Sequence, residues 1–485
     1  MTIFIKRARA AVMFLPFLFA CSTYNNKLNN YYNDLHSNNL TEAQKALSNN
    51  KLLQKKRNRI LYYLEQGKLY RLKNELDSSN LFFNAADALI ENNELNVGNI
   101  LLSNLTSPMA GNYKYEDFEV FLMHYYKAIN YLQLGNKEEA VVEARRIGLS
   151  NNTQKNKFSV LANGYTQDAF SLILQGLIYE TNNEINNAFI SYRNAADIYL
   201  KNDNQYYGTT IPQQLQLDLL RTAKKINFVD LYNFYGSKFT TNISYDTLPK
   251  RELILFFENG ISPIKEEQNF VLTYGSNGSF FVTDAWGIKQ NINFNGFATN
   301  DKLAAIRTLR VAMPVYKIVS ENSVVNALQV NGETYNSYLI QNLNIISTSL
   351  LKERWLKELT NVAIRQLSKK ILEKGSEKVA TKIAENNTKD TNKDGTKKTD
   401  EQQKKDKGKS ESIGETIGFL VNVFNAVTEK ADTRSWQSLP AQISYARVPL
   451  KEGENTIKYI INGVEKTFSI AAKNGLQFHS IISWK

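Results

Sequence analysis

Between Ala169 and Tyr199 the chain carries Leu172, Gly176, Tyr179, Ile185, Ala188, Tyr192 and Ala195 in an order that recurs upstream. A pattern repeated within one chain constrains its fold more than composition does. The apolar positions follow a helical period over two adjacent segments. Gly176 on the first helix and Ala188 on the second are small where the backbones approach, with Tyr179 and Tyr192 filling the space around them. A second copy spans Phe118 to Ile147, with Ala128 and Tyr131 on its first helix, Gly135-Asn136 at the turn, and Ala140 and Ala144 on its second helix. A third, Leu61 to Ile90, matches through Gly67, Tyr70, Leu76, Phe83 and Ala86, with Ser79 in place of alanine; a degenerate fourth runs from Tyr31 to Leu47.

This spacing resembles the tetratricopeptide pattern, whose unit is about 34 residues of two antiparallel helices. The competing expectation is a plain helical bundle with alanine-rich interfaces. Residues 96–115 read as an insertion or irregular helix between copies. Helices at 213–226 and 228–235 would cap the array, because a terminal repeat must hide its open apolar face.

From about residue 245 the period shortens. Glu252 to Phe257 is a largely apolar run, and Phe270–Tyr274, Ser279–Thr283 and Arg310–Val319 are further strand candidates. Asn331-Gly332 and Asn462-Gly463 mark hairpins, since a two-residue turn needs positive φ at both positions. Between these groups lie an amphipathic helix over 346–384, a lysine-rich loop over 385–410 and a helix over 413–431. If the strands from Ile443 onward pair with those near Leu253, residues 346–431 form a helical excursion from one β-rich unit. The expected fold is α+β: a tetratricopeptide-like helical domain over 31–240, followed by a β-rich, sandwich-like domain over 245–485.

The N-terminus points to a compartment. Lys6, Arg7 and Arg9 precede an apolar stretch ending in Leu18-Phe19-Ala20-Cys21, which is too short to span a bilayer. This reads as a signal peptide over 1–20, cleaved between Ala20 and Cys21, and it resembles the lipobox of bacterial lipoproteins. The resemblance implies acyl chains on Cys21, a lipidated tether over 21–30, and, with Ser22 next, an outer-membrane lipoprotein facing the periplasm. Cys21 is the single cysteine, so no intramolecular disulfide forms. The net charge of +12 then argues for envelope polymers, lipid phosphates or plain solubility rather than nucleic acid. The abundant asparagines read partly as compositional bias, with no function assigned.

Little in the chain suggests catalysis. His36, His124 and His479 have no metal-ligand spacing, and no paired cysteines or nucleophile elbow appear. No cofactor or metal is expected. Glu138, Glu139 and Glu143 read as solvated helix faces, and Asp432 to Trp436 as a buried tryptophan at a domain junction with an Asp/Arg pair. Tyr125, Tyr126 and Arg145 are the candidates for a partner-binding groove.

Four blocks, Glu116–Glu119, Tyr125–Leu132, Glu143–Arg146 and Ala431–Pro440, together resemble a family of bacterial tetratricopeptide-repeat outer-membrane lipoproteins. The resemblance implies a lipid anchor, a helical repeat half, a β-rich end and a role in the envelope, without an active site. The expected function is a non-enzymatic scaffold binding envelope proteins, with the peptidoglycan synthesis machinery as one partner class. The alternative is a surface-displayed lipoprotein that binds a glycan or host ligand through its β-rich domain.

Overall fold

The computed structural model describes residues 24–95, 109, 111–158, 167–239, 249–276, 278–294, 297–299, 303–304, 306–320, 325–373 and 430–484. Ala20, Cys21, the lysine-rich loop and residues 413–429 of the helix expected over 413–431 lie outside them; residues 430–431 are described and are not helical. Within them the chain is α+β, with helices in the N-terminal half and sheets in the C-terminal part.

The helices come in hairpins: α1 (Tyr24–His36) with α2 (Leu40–Ser48), α3 (Arg59–Leu72) with α4 (Leu76–Leu95), α5 (Asp117–Leu134) with α6 (Lys137–Phe158), and α7 (Ala169–Thr181) with α8 (Ile185–Leu200). A two-stranded ribbon, β1 (Gln205–Tyr206) and β2 (Thr209–Thr210), leads to α9 (Gln213–Lys225) and α10 (Val229–Lys238). Every hairpin turns through one left-handed residue: Asn38, Asn74, Gly135, Asn183 and Asn227, with φ of 61°, 60°, 85°, 59° and 59°. Asparagine tolerates this conformation better than other side-chain-bearing residues. Four asparagines attributed to composition are therefore structural.

The repeated small residues lie where close packing requires them. A Cβ on Gly67 would meet the Phe83 ring at 2.5 Å, and one on Gly176 would overlap Tyr192 in the equivalent place. Ala86, Ala128, Ala140, Ala144, Ala188 and Ala195 are fully buried, and Tyr179 nearly so. Tyr70 stacks on Phe82 while Tyr131 is half-buried. Ser79 Oγ donates to the Gly67 carbonyl at 2.7 Å, which explains a hydroxyl where the other copies carry alanine.

Residues 24–30 correct the expected tether. They are the first turns of α1, and Tyr24 and Leu28 are buried.

The strands are β3 (Arg251–Asn259), β4 (Ile264–Tyr274), β5 (Ser279–Thr283), β6 (Lys289–Asn293), β7 (Thr308–Lys317), β8 (Val325–Val330), β9 (Glu333–Tyr335) and β10 (Tyr338–Asn342), then helix α11 (Leu343–Glu373), then β11 (Gln442–Pro449), β12 (Glu454–Ile461), β13 (Val464–Ala471) and β14 (Gly475–Ser483). Asn331-Gly332 and Asn462-Gly463 adopt the positive φ values that their hairpins require.

The central sheet has the order β10-β11-β3-β14. β11 lies antiparallel to β3, with Ile443 opposite Glu258 and Val448 opposite Leu253, so the late strands do close on the early one. β14 joins the other edge of β3 in parallel. β3 is buried on both faces, as its unbroken apolar run requires. Ile254, Phe256, Ile443, Tyr445 and Phe478 share the core of the helices. Leu253, Leu255, Phe257, Ala446, Val448 and Ile481 pack against Leu328, Val330, Ile457, Tyr459 and Ile461 of a second sheet, ordered β13-β12-β8-β9. The third sheet, β6-β5-β4-β7, buries Phe270, Leu272, Phe280, Val282 and Ile292 against Trp355 and Leu359 of α11.

Candidate functional site

The helical hairpins turn one face toward the central sheet, and that face is already occupied. Residues 431–441 run between the two halves with little regular structure and are almost wholly buried. Trp436, 1% exposed, lies 5.9 Å from the rings of both Phe83 and Tyr126. Its indole N–H donates to Ser438 Oγ at 2.8 Å, which satisfies the one polar atom such a burial would strand.

The backbone of this strap is held by helix carboxylates. The Trp436 N–H donates to Glu119 Oε1 at 3.0 Å and the Gln437 N–H to Glu65 Oε1 at 3.2 Å. Tyr31 and Tyr32 donate to Glu65, and Tyr113 donates to both oxygens of Glu119. Burial pushes the Glu119 carboxyl up to about 7, and Glu65 is raised for the same reason. Arg434 is 1% exposed and pairs with Asp432 at 2.5 Å, while its fork also donates to Asn58 Oδ1 and to the carbonyls of Gly111 and Asn112. The expected junction tryptophan and Asp/Arg pair are thus both present.

Further buried charges cross the seam. Lys68 meets Glu258 of β3 at 2.5 Å, and Tyr125 and Tyr126 donate to the same carboxylate at 3.0 and 2.9 Å. Burial lowers Lys68 to about 8; it also opposes ionisation of Glu258, but Lys68 and Arg71 overcome that and hold the carboxyl below its usual range. Glu116, which caps α5, binds Lys265 of β4 and Arg354 of α11, so three elements meet on one carboxylate. Arg447 of β11 pairs with Glu180 of α7, Asp218 of α9 and Glu252 of β3.

Two of the three groove candidates are therefore corrected. Tyr125 and Tyr126 are fully buried on Glu258 and face no open groove. Arg145 is exposed, on the outer side of the helices near Tyr179. There Gly148, Gln167, Leu172, Gln175, Tyr179, Asn187, Ile190, Ser191 and Asn194 line a cleft of about 240 Å³. Four of these side chains are carboxamides, and Asn187 is exposed to solvent.

Glu143 is not a solvated face either. It is 4% exposed and binds His124 Nδ1 at 2.8 Å and Lys127 Nζ at 2.9 Å. Asp87, His124 and Glu143 place atoms of metal-ligating type within 4.8 Å of one another. Lys127 Nζ also reaches Asp87 Oδ2 at 2.6 Å, and Arg146 reaches the same atom at 2.5 Å. An ammonium and a guanidinium already balance these carboxylates, so the donor set fits an ion-pair network better than a metal ion.

The seam residues were missed because hydrophobic periodicity marks apolar faces only. Glu65, Lys68 and Arg71 follow one another at intervals of three on α3, as do Glu116 and Glu119 at the start of α5. Charges at that spacing share one helix face, and their tyrosine-rich surroundings were the available signal that the face is buried.

No family model matches the chain, and no curated protein matches it at a significant level. One solved structure, the crystal structure of BtubC (BKLC) from P. vanneervenii, is similar at 13% identity and a TM-score of 0.29, over 45% of this chain and 82% of that one.

Proposed function

We propose that this chain is a lipid-anchored scaffold of the cell envelope that binds partner proteins through tetratricopeptide-like repeats and performs no chemistry of its own. The observation that carries this reading is the division of labour between the two helical faces. The inner face is filled by the 431–441 strap and by β3, while the carboxamide-lined cleft between α6, α7 and α8 stays open. Gln175 spends its amide on the Ala144 carbonyl and the Ser191 hydroxyl, but the other carboxamides offer donors and acceptors, which suits the backbone of an extended peptide. The many ions of the seam join the halves into one body, a sound base for presenting a binding surface. Cys21 would carry the acyl chains, leaving the protein at the outer membrane and facing the periplasm. Envelope proteins are the proposed partners, the peptidoglycan synthesis machinery first among them.

The test is crosslinking in living cells that carry a tagged copy, compared with Cys21→Ala and with Asn187→Arg/Asn194→Arg. Capture of envelope assembly proteins by the parent, lost in both variants, is the expected result. Capture unaffected by the cleft variant, or no protein captured at all, would overturn the reading.

A further inference from the structure

The β5–β6 hairpin presents a combination that a solvent-facing turn does not need. Trp286 is 36% and Ile288 47% exposed at its tip, Trp286 on the α11 side of the sheet beside Trp355, while Phe281 (37%) and Val271 (54%) are exposed on the outward face of the same sheet. The tip is rigid. Asp284 accepts from the Trp286 and Ile288 N–H groups at 2.9 and 2.8 Å and from Gln290 Nε2 at 3.0 Å, around Gly287 at φ +80°. Its single carboxylate is thereby engaged within the turn. Cations stand on both sides of the hairpin: on the α11 side Lys352 Nζ lies 5.8 Å from the Trp286 ring, with its charge also acting on Asp284, and on the outward face Lys289 Nζ lies 5.7 Å from the Phe281 ring with Arg310 of β7 exposed.

We propose that this hairpin is a docking surface for an anionic phospholipid layer. Tryptophan favours the boundary between water and apolar phase, and lysine stems lie along apolar surface while their ammonium groups reach outward to phosphate. The charge balance of the patch selects an anionic over a zwitterionic surface. Its position suits the task. β5 runs antiparallel to β4, so the tip points toward the Lys265 end of that strand, where Asn25 of α1 donates to the Lys265 carbonyl at 3.0 Å. Trp355, 6.0 Å from Trp286, adjoins Arg354, which grips Glu116 together with Lys265. The start of the described chain and the hairpin thus both relate to the Lys265 end of β4, and a lipid on Cys21 would bring that strand end toward the bilayer. The inference rests on the membrane-anchored reading for this last step only.

The experiment uses the mature chain from position 21 with Cys21→Ser, free of the cationic apolar segment 1–20, floated with vesicles of phosphatidylglycerol and phosphatidylethanolamine or with phosphatidylcholine vesicles. Flotation with the anionic vesicles, weakened by salt and reduced at least tenfold in Trp286→Ser/Ile288→Ser and in Ile288→Ser/Lys289→Glu at an unchanged thermal transition, is the expected result. No flotation, flotation equal on both vesicle types, or flotation equal in parent and variants would overturn the proposal. Binding to soluble heparin that matches the vesicles and survives Trp286→Ser/Ile288→Ser would overturn it in favour of an anionic polymer. Palmitate labelling of Cys21 in cells is scored separately, so a missing anchor and a missing docking surface are distinguishable.

Discussion

Lys68 and Glu258 meet at 2.5 Å with neither side chain reaching solvent, and they come from opposite halves of the chain, α3 and the central strand β3. Removing one partner strands a charge in the interior, which costs about 3–5 kcal/mol, whereas replacing both with apolar groups is far milder. Lys68→Met and Glu258→Gln should each lower the unfolding free energy by that order. Lys68→Met/Glu258→Leu should recover only part of the loss, because the buried Tyr125 and Tyr126 hydroxyls lose their acceptor, as read by denaturant titration of all three.

Two glutamates one turn apart on α5 give opposite pH dependences. Burial raises Glu119 to about 7 from an ordinary 4.5, so the folded chain holds its proton more tightly than the unfolded chain does. The stability this contributes, about 3 kcal/mol, is fully present below pH 4.5 and is lost as the pH rises through 7. For Glu116 burial alone would act the same way, but Arg354 and Lys265 overcome it and hold its carboxyl well below the usual range. Its contribution is present above pH 4.5 and lost in strong acid. Glu119→Gln should therefore flatten the stability profile between pH 4.5 and 7 and gain on the parent at pH 8. Unfolding free energies at pH 5 and pH 8 check this.

Gly67→Ala and Gly176→Ala press a methyl group into the rings of Phe83 and Tyr192. Each should destabilise by about 1–3 kcal/mol, the usual cost of overpacking. Adding Phe83→Leu should return part of the loss at Gly67 and none at Gly176. Thermal unfolding of the single and double variants separates the two outcomes.

At the α7–α8 turn, Asn183 has φ of 59°. Asn183→Ala should cost about 1 kcal/mol, because an alanine Cβ is crowded in the left-handed region, and Asn183→Gly should be close to neutral. If both variants lose the same amount, the side chain rather than the backbone conformation matters there.

Much of the fold was legible because hydrophobic period reports on one face at a time. The hairpin pairs, the Gly67 and Gly176 contacts, β3 as a doubly buried strand and the two Asn-Gly turns all follow from local spacing. The strand β6 was missed because Lys289-Gln290-Asn291-Ile292-Asn293 has one apolar residue and faces solvent on the other side. The seam was missed for a different reason. Glu65, Glu119 and Glu258 are ordinary charged residues until the strap and the sheet arrive from distant parts of the chain, and Tyr125 and Tyr126 look like groove residues until Glu258 takes their hydroxyls.

The central sheet also imposes a timetable. β3 is complete once residue 259 exists, yet its neighbours β11 and β14 begin only at residues 442 and 475. A chain synthesised from its N-terminus therefore carries an apolar strand with two open edges until β11 has been made. Such edges template pairing with other chains. Loss of β14 by proteolysis would reopen one of those edges while β11 keeps the other, so β14 acts as a latch on the early strand.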